Sequence, residues 1–200
     1  MMFMLALVHL TLSLHPRFNL LDFFFTRRVY ALDVRGEIPD ELWTLTFLDN
    51  LTFGINALSG EIPKELGLLT ELQSLSFGTN NFSGPLPSEL EDLTKLTQMW
   101  ASDNAFTGRI PGFIGNNWSN ITALDLSFNN LTGRVPDVLF NLTLLTHLFL
   151  GDNKLTGTLP TLKRQSLQTV CSSCVYMISL SNVLSVGMNV LKFQTSSPSY

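Results

Sequence analysis

The hydrophobic residues of this chain recur with a spacing of 24 residues. In one unit, residues 69–90 read L-x-x-L-x-x-L-x-F-x-x-N-x-F-x-G-x-L-P-x-x-L. The L-x-F step has a period of two, which predicts a short strand, and the asparagine and glycine that follow end it. Because a coil of this length cannot bury its leucines alone, the pattern predicts a solenoid in which each coil packs against the next.

Proline and glycine keep the same register as the apolar residues. The prolines of the repeat are Pro39, Pro63, Pro87, Pro111, Pro136 and Pro160. Each lies three residues after a glycine, and these glycines are Gly36, Gly60, Gly84, Gly108, Gly133 and Gly157. The glycine permits a backbone bend, and the proline fixes φ on the convex side, where no sheet needs its missing donor. One step of 25 residues is attributed to an extra residue within 115–118.

An asparagine stands four residues before each of the last five glycines. These residues are Asn56, Asn80, Asn104, Asn129 and Asn153. We expect each side chain to face inward at the turn after the strand, where its amide can bond backbone groups that a tight coil leaves unpaired. Stacking of the coils then predicts a structural ladder of asparagines.

These motifs resemble the plant-type leucine-rich repeat, L-x-x-L-x-L-x-x-N-x-L-x-G-x-I-P-x-x-L, over residues 29–160. The stretch GINALSGEIPKELGLLTELQSLSFGTNNFSG, residues 54–84, resembles the ectodomains of plant leucine-rich-repeat receptor-like serine/threonine kinases, especially the group with a malectin-like domain. The resemblance implies an α/β leucine-rich-repeat solenoid with short parallel strands and a mostly 3-10 or irregular convex side. It also implies an extracellular or plasma-membrane location, in a protein whose cytoplasmic kinase domain transfers phosphate from ATP.

The chain divides into three parts on this pattern. Residues 1–28 form an apolar N-terminal segment, residues 29–160 form the leucine-rich repeats, and residues 161–200 form an irregular tail without the repeat. The sequence contains no malectin-like domain and no kinase signature, because the glycine-rich phosphate loop, H-R-D and D-F-G are absent. We therefore interpret the chain as a non-catalytic binding module. The alternatives are a fragment of a receptor kinase, or a truncated product without independent function that aggregates through uncapped coil ends.

Both ends carry apolar segments that the repeat does not explain. Residues 1–14 could be the hydrophobic part of a signal peptide or an anchor, but no basic stretch precedes them and no cleavage site is evident. Residues 165–191 are uncharged and long enough to span a bilayer, but their many Ser and Asn residues favour a non-homologous tail. We expect membrane association only through an N-terminal anchor or a missing C-terminal part.

Strand side chains between the inward leucines should point onto the concave sheet. The candidate binding residues there, or just beyond the strands, are Gln98, Trp100, Asp103, Asp125, Phe128, His147, Phe149 and Asp152. Exposed aromatic residues on neighbouring coils indicate an interaction stripe. The alternative is that these rings pack laterally on one another as a surface cluster.

The predicted repeats are acidic and the flanks are basic. Residues 29–160 hold 6 Lys and Arg against 15 Asp and Glu, a net charge of −9, and the flanks supply +5. This balance excludes a broadly basic nucleic-acid binder. The resemblance to receptor ectodomains implies a protein, peptide or glycan ligand, or a co-receptor, as partner. Six N-x-S/T sequons fit a glycosylated extracellular face: Asn50, Asn81, Asn117, Asn120, Asn130 and Asn141. Asn81 and Asn130 directly follow ladder asparagines and should point outward.

The sequence predicts no catalytic residue, no metal site and no cofactor. Cys171 and Cys174 form a single pair, whereas a zinc site needs two more ligands and a redox pair needs a thioredoxin-like context. His147 could meet Asp125 across adjacent strands, but no nucleophile or second carboxylate accompanies them. We therefore expect two incidental thiols and an exposed polar histidine on the concave sheet.

Overall fold

The computed structural model describes residues 26–157 and 169–170. Residues 1–14, most of residues 165–191 and the pair Cys171 and Cys174 lie outside the described residues, so the expectations for them stay predictions. The strands are numbered along the chain. The odd-numbered strands form the concave sheet, and the even-numbered strands lie on one flank of the solenoid.

The concave sheet consists of seven parallel strands in sequential order. They are β1 (Thr26–Arg28), β3 (Asn50–Thr52), β5 (Ser74–Ser76), β7 (Gln98–Trp100), β9 (Ala123–Asp125), β11 (His147–Phe149) and β13 (Thr169–Val170). Each strand pairs with the one in the next coil, so that Leu51, Leu75 and Met99 lie side by side in the core. We number the coils 1 to 6 by their strands β1 to β11.

The flank strands follow each turn of the concave sheet. They are β2 (Arg35–Gly36), β4 (Ala57–Glu61), β6 (Asn81–Gly84), β8 (Ala105–Phe106), β10 (Thr132–Arg134) and β12 (Lys154–Thr156). The first four form one sheet and the last two form another. A single bridge between Arg109 and Thr132 joins them where the 25-residue coil lies.

The convex side is built from short helices that begin directly after the repeat prolines. Four of them are 3-10 helices: Asp40–Thr44, Lys64–Leu68, Ser88–Asp92 and Asp137–Asn141. Coil 4 instead has an α-helix, α1 (Phe113–Asn117), which accommodates the extra residue of its 25-residue step. Trp118 follows this helix and packs edge-on against Phe113, with the ring centroids 5.5 Å apart. Its Nε1 donates a hydrogen bond to the Leu90 carbonyl at 2.9 Å.

One continuous hydrophobic core runs along the described coils. Phenylalanine rings form its centre: Phe53 stacks on Phe77 with centroids 6.1 Å apart, and Phe82 stacks on Phe106 at 6.4 Å. An edge-on contact between Phe77 and Phe82 at 5.4 Å joins the two pairs. The coils therefore bury their apolar residues against their neighbours, as the repeat predicts.

The five ladder asparagines lie at the turns after the concave strands and bond the backbone of two coils. Asn80 accepts from the Leu58 amide at 3.0 Å and donates to the carbonyls of Phe53 and Phe77, both at 2.9 Å. The corresponding position of coil 1 is Leu32, so the ladder starts at Asn56. Each asparagine therefore links successive coils as well as closing its own turn.

The sheet extends past residues 29–160 at both ends. Thr26–Arg28 pairs with Asn50–Thr52, and Thr169–Val170 pairs with the first two residues of β11. Neither segment carries the repeat motif. Each still joins the sheet, because a parallel strand needs only backbone donors and acceptors that meet those of an open edge. The structure thus adds a strand from the segment 1–28 and one from the tail 161–200, which side-chain motifs could not indicate.

Candidate functional site

The strand register sets two rows of side chains on the concave face. The first row consists of Asn50, Ser74, Gln98, Ala123 and His147. The second row consists of Arg28, Thr52, Ser76, Trp100, Asp125 and Phe149. We call the second one the outer row. Along the solenoid, the side chains of the outer row change from a basic end at Arg28, through the small polar Thr52 and Ser76, to an aromatic and acidic end. This aromatic and acidic end consists of Trp100, Asp125 and Phe149.

Coils 2 and 3 provide a floor of small residues on this face. Thr52 and Ser76 belong to the outer row, and Gly54 and Gly78 follow two residues later. The Tyr30 ring lies over Gly54, where a Cβ atom would come within 3.2 Å of two ring carbons. Gly54 is buried under this ring, so the part of the floor that a ligand can reach consists of Thr52, Ser76 and Gly78, between Tyr30 and Trp100. Gly78 there lets a bound chain approach the backbone closely.

Asp125 lies between Trp100 and Phe149 in the outer row, and all three side chains are half-buried. Its Oδ1 accepts two hydrogen bonds from Ser127, from the amide at 3.0 Å and from Oγ at 2.6 Å. Within the described residues, its Oδ2 accepts no hydrogen bond. The carboxylate is thus held in one orientation by its own turn, with one oxygen available to a ligand.

His147 and Asp125 do not form the contact that the sequence left open. The register pairs His147 with Ala123, and Asp125 with Phe149. The His147 ring stacks on Phe149 with centroids 6.4 Å apart, and its Nδ1 lies 2.8 Å from Thr146 Oγ1. That hydroxyl also lies 3.0 Å from the Thr122 carbonyl, and the direction of its hydrogen bond with Nδ1 depends on the tautomer of the ring.

Three candidate residues, Asp103, Phe128 and Asp152, occupy the turns at the rim of the sheet. Each stands directly before a ladder asparagine in the sequence. Their φ angles are 56°, 52° and 52°, which is the left-handed conformation. All three are exposed, and Phe128 retains 58% of its accessible surface. Gln98 is exposed in the first row. The rim therefore adds two carboxylates and a ring to the aromatic and acidic end.

The rings of Trp100 and Phe149 lie on strands that the Asp125 strand separates, about 10 Å apart at ordinary strand spacing. Among the described residues, the ring partner of Phe149 is His147. The aromatic residues therefore alternate with a carboxylate along the outer row. Trp100 and Phe149 therefore lie on strands that are not neighbours, and the interaction stripe stays a prediction.

Sequence reasoning missed Arg28 and Tyr30, which lie before or at the start of the repeat motif. The Arg28 guanidinium carbon lies 4.9 Å from the centre of the Tyr30 ring. A signal existed, because Arg28 precedes Thr52, and Leu21 precedes Leu45, by one repeat length, but Arg27 stands where the next coil has Leu51 and interrupts the leucine pattern.

The sequons lie mainly away from the concave strands. Asn50 is in the first row and donates to Asp49 Oδ1 at 2.8 Å. Asn81 is exposed at the start of β6, and Asn130 is half-buried just before β10. Asn117, Asn120 and Asn141 lie in or after convex helices. From coil 3 to coil 6, the concave strands carry no sequon.

The basic residues of the described coils lie elsewhere than the aromatic and acidic end. Lys95 pairs with Glu71 at 2.6 Å, and Arg35 pairs with Asp33 at 3.3 Å. Arg109 and Arg134 lie on the flank, across Gly133 and Gly157 of the next coils. The concave strands β5, β7, β9 and β11, together with the turns up to the ladder asparagines, contain three aspartates and neither lysine nor arginine. The local potential there is therefore negative.

Among the described residues, neither a candidate metal site nor a candidate membrane-spanning helix is found. No group of three or more His, Cys, Asp and Glu side chains among them could hold a metal ion. In the same part of the chain, no helix has the length and apolar character needed to cross a bilayer.

Comparison with known proteins identifies the repeat. The family model described as Leucine Rich Repeat matches residues 71–93 and 120–142. No curated protein matches the chain in sequence. Among solved structures, the ectodomain of the plant membrane receptor kinase GASSHO1/SCHENGEN3 from Arabidopsis thaliana, in complex with CASPARIAN STRIP INTEGRITY FACTOR 2, is 35% identical with a TM-score of 0.65, covering 68% of this chain and 16% of that one.

Two further structures are similar over much the same length. The plant peptide hormone receptor RGFR1, in complex with RGF2, is 33% identical with a TM-score of 0.69, covering 77% of this chain and 24% of that one. The Arabidopsis receptor kinase HAESA, in complex with the peptide hormone IDA and the co-receptor SERK1, is 31% identical with a TM-score of 0.61, covering 64% and 21%. The chain thus spans at most a quarter of these receptor chains. It is a leucine-rich-repeat protein whose described part has the solenoid fold of plant receptor-kinase ectodomains.

Proposed function

We propose that this chain is a non-catalytic recognition module whose concave face binds an extracellular peptide or protein. The observation that carries the proposal is the outer row, where Trp100, Asp125 and Phe149 lie side by side beyond a floor of small residues. Rings that are half-buried in a sheet have already lost part of their freedom, so covering them costs little further entropy. A glycan ligand or a co-receptor is an additional partner of the same surface.

The similar receptors support this assignment. Three of them were solved with a peptide hormone, a named factor or a co-receptor bound. The sequons add support, because the five positions outside the concave strands would leave the concave strands of coils 3 to 6 free of directly attached glycans. We place the chain outside the cell or at the plasma membrane on the same grounds. Phosphate transfer from ATP belongs, in this proposal, to the kinase part of a full-length relative.

The test is selection of binding peptides from a random library against the full 200-residue chain, followed by retesting on a variant with Trp100→Ala and Phe149→Ala. We expect the double variant to bind at least about tenfold more weakly, since aromatic anchors dominate such interfaces. The matched control replaces two exposed apolar residues away from the concave strands, Phe47→Ala and Leu68→Ala. Equal affinity of the wild type and the concave-face variant would contradict the proposal.

The alternative of a truncated product without function is tested by thermal unfolding of the same chain. A recognition module requires a cooperative transition of a monomeric species, because stacked coils stabilise one another through their interfaces. Aggregation without such a transition would favour the truncated product.

A further inference from the structure

We propose that Asp125, between Trp100 and Phe149, is a subsite for a basic side chain of a peptide ligand. This inference rests on the proposed recognition function and specifies what one part of the surface reads. The peptide lies along the solenoid over the floor of coils 2 and 3 and places an arginine or lysine on coil 5.

The carboxylate of Asp125 is prepared for a cation. Two bonds from Ser127, at 3.0 and 2.6 Å, hold Oδ1, and Oδ2 has no partner within the described residues. A side chain that is fixed before binding loses little entropy when a ligand arrives. The half-buried position of Asp125 also weakens solvent screening compared with a fully exposed carboxylate.

The neighbouring rings favour a cation over a neutral polar group. Trp100 and Phe149 are the register partners of Asp125 on the two adjacent strands, at about 4.8 Å of strand spacing on each side. The face of an aromatic ring attracts a cation, and Trp does so more strongly than Phe. A guanidinium or ammonium group at Asp125 would therefore meet one carboxylate oxygen and have an aromatic residue on each neighbouring strand.

Charge complementarity selects the same occupant. Asp103 and Asp152 lie at the rim of the flanking coils, and the concave strands of coils 3 to 6 and the turns directly after them contain neither lysine nor arginine. The basic residue of the outer row is Arg28, four strands from Asp125 and about 19 Å away at ordinary strand spacing. No basic side chain of the described residues therefore neutralises Asp125 in the row, and an anionic ligand would be repelled from it.

The probe is the blocked peptide acetyl-Gly-Ser-Arg-Ser-Gly-amide, in which the guanidinium is the only charge, with the citrulline version as its neutral match. Binding to the full chain is measured by anisotropy of the labelled peptides. Trp100 fluorescence gives a second reading, because Trp43 and Trp118 are buried at 5% and 0% exposure. We expect the arginine peptide to bind at least about fivefold more tightly than the citrulline peptide.

The variant Asp125→Asn removes the charge and keeps an Oδ1 that can accept both bonds from Ser127. It should weaken the arginine peptide at least about fivefold and abolish its preference over citrulline. The matched control Asp137→Asn removes the same charge from an exposed position on the convex side of the same coil, and should change binding less than about twofold. A melting curve shows that both variants fold.

Three results would overturn the inference: equal losses in the two variants, equal binding of the two peptides, or no saturable binding of the arginine peptide up to about 5 mM. The recognition proposal fails separately. If library-selected peptides need Trp100 and Phe149 but bind Asp125→Asn normally, the concave face is the binding surface and the cation subsite is wrong.

Discussion

Each ladder asparagine satisfies backbone groups that the tight turn would otherwise leave unpaired. Asn104 accepts from the Phe82 amide at 3.0 Å and donates to the carbonyls of Phe77 and Ser102, both at 3.1 Å. The bond to Ser102 spans Asp103, whose φ of 56° is unfavourable for a residue with a side chain. The asparagine therefore stabilises the left-handed turn that presents Asp103 at the rim of the binding surface.

Asn104→Ala should lower the free energy of unfolding by about 3 kcal/mol, because it leaves partly buried amide and carbonyl groups without partners. The measurement is urea denaturation followed by circular dichroism. Asn116→Ala, at an exposed position of α1, is the control and should leave stability nearly unchanged. A loss below about 0.5 kcal/mol in Asn104→Ala would mean that water replaces the ladder.

At the scale of elements, the convex helices determine how closely successive coils approach. Gly67 lies in the 3-10 helix of coil 2, packed against the helix of coil 3, and a Cβ atom there would overlap the carbonyl of Glu89. Coil 4 has the same close approach at Gly115 of α1, where a Cβ atom would overlap the carbonyl of Val138, and α1 with the bulky Trp118 also accommodates the extra residue. The convex side thus adjusts to an extra residue while the concave strands keep their register.

Gly67→Ala should destabilise the protein by about 2 kcal/mol, because the overlap involves backbone atoms that cannot move without separating two coils. Gly112→Ala is a matched control next to α1. Its φ of −68° suits any residue and a Cβ atom there has no neighbour within 4 Å, so stability should stay the same or rise by about 0.5 kcal/mol. Equal melting temperatures of the two variants would contradict the close packing of coils 2 and 3.

At the scale of the whole molecule, charge is distributed unevenly over the solenoid. Residues 29–160 carry a net charge of −9, and the concave face changes from Arg28 at one end to three aspartates at the other. A long-range field of this kind attracts cationic partners before contact and is screened by salt. The orientation of a bound peptide is therefore linked to its own charge pattern.

Raising NaCl from about 0.05 to about 0.5 M should weaken binding of the arginine peptide several-fold, because the Debye length falls well below the width of the acidic end. Titrations at four salt concentrations measure this dependence. The citrulline peptide serves as the control and should respond much less. The same salt response in both peptides would show that charge does not contribute to recognition.

The sequence by itself determined the solenoid, the strand positions, the buried leucines and phenylalanines and the ladder asparagines. These features follow from the period of the pattern, because each coil repeats one local solution and packs against a copy of itself. Tertiary structure decided which side chains become neighbours across coils. It set Asp125 opposite Trp100, since α1 absorbs the extra residue before β9, and it stacked the His147 ring on Phe149. It also brought Arg28 into the outer row, because strand pairing depends on backbone hydrogen bonds that no side-chain motif records.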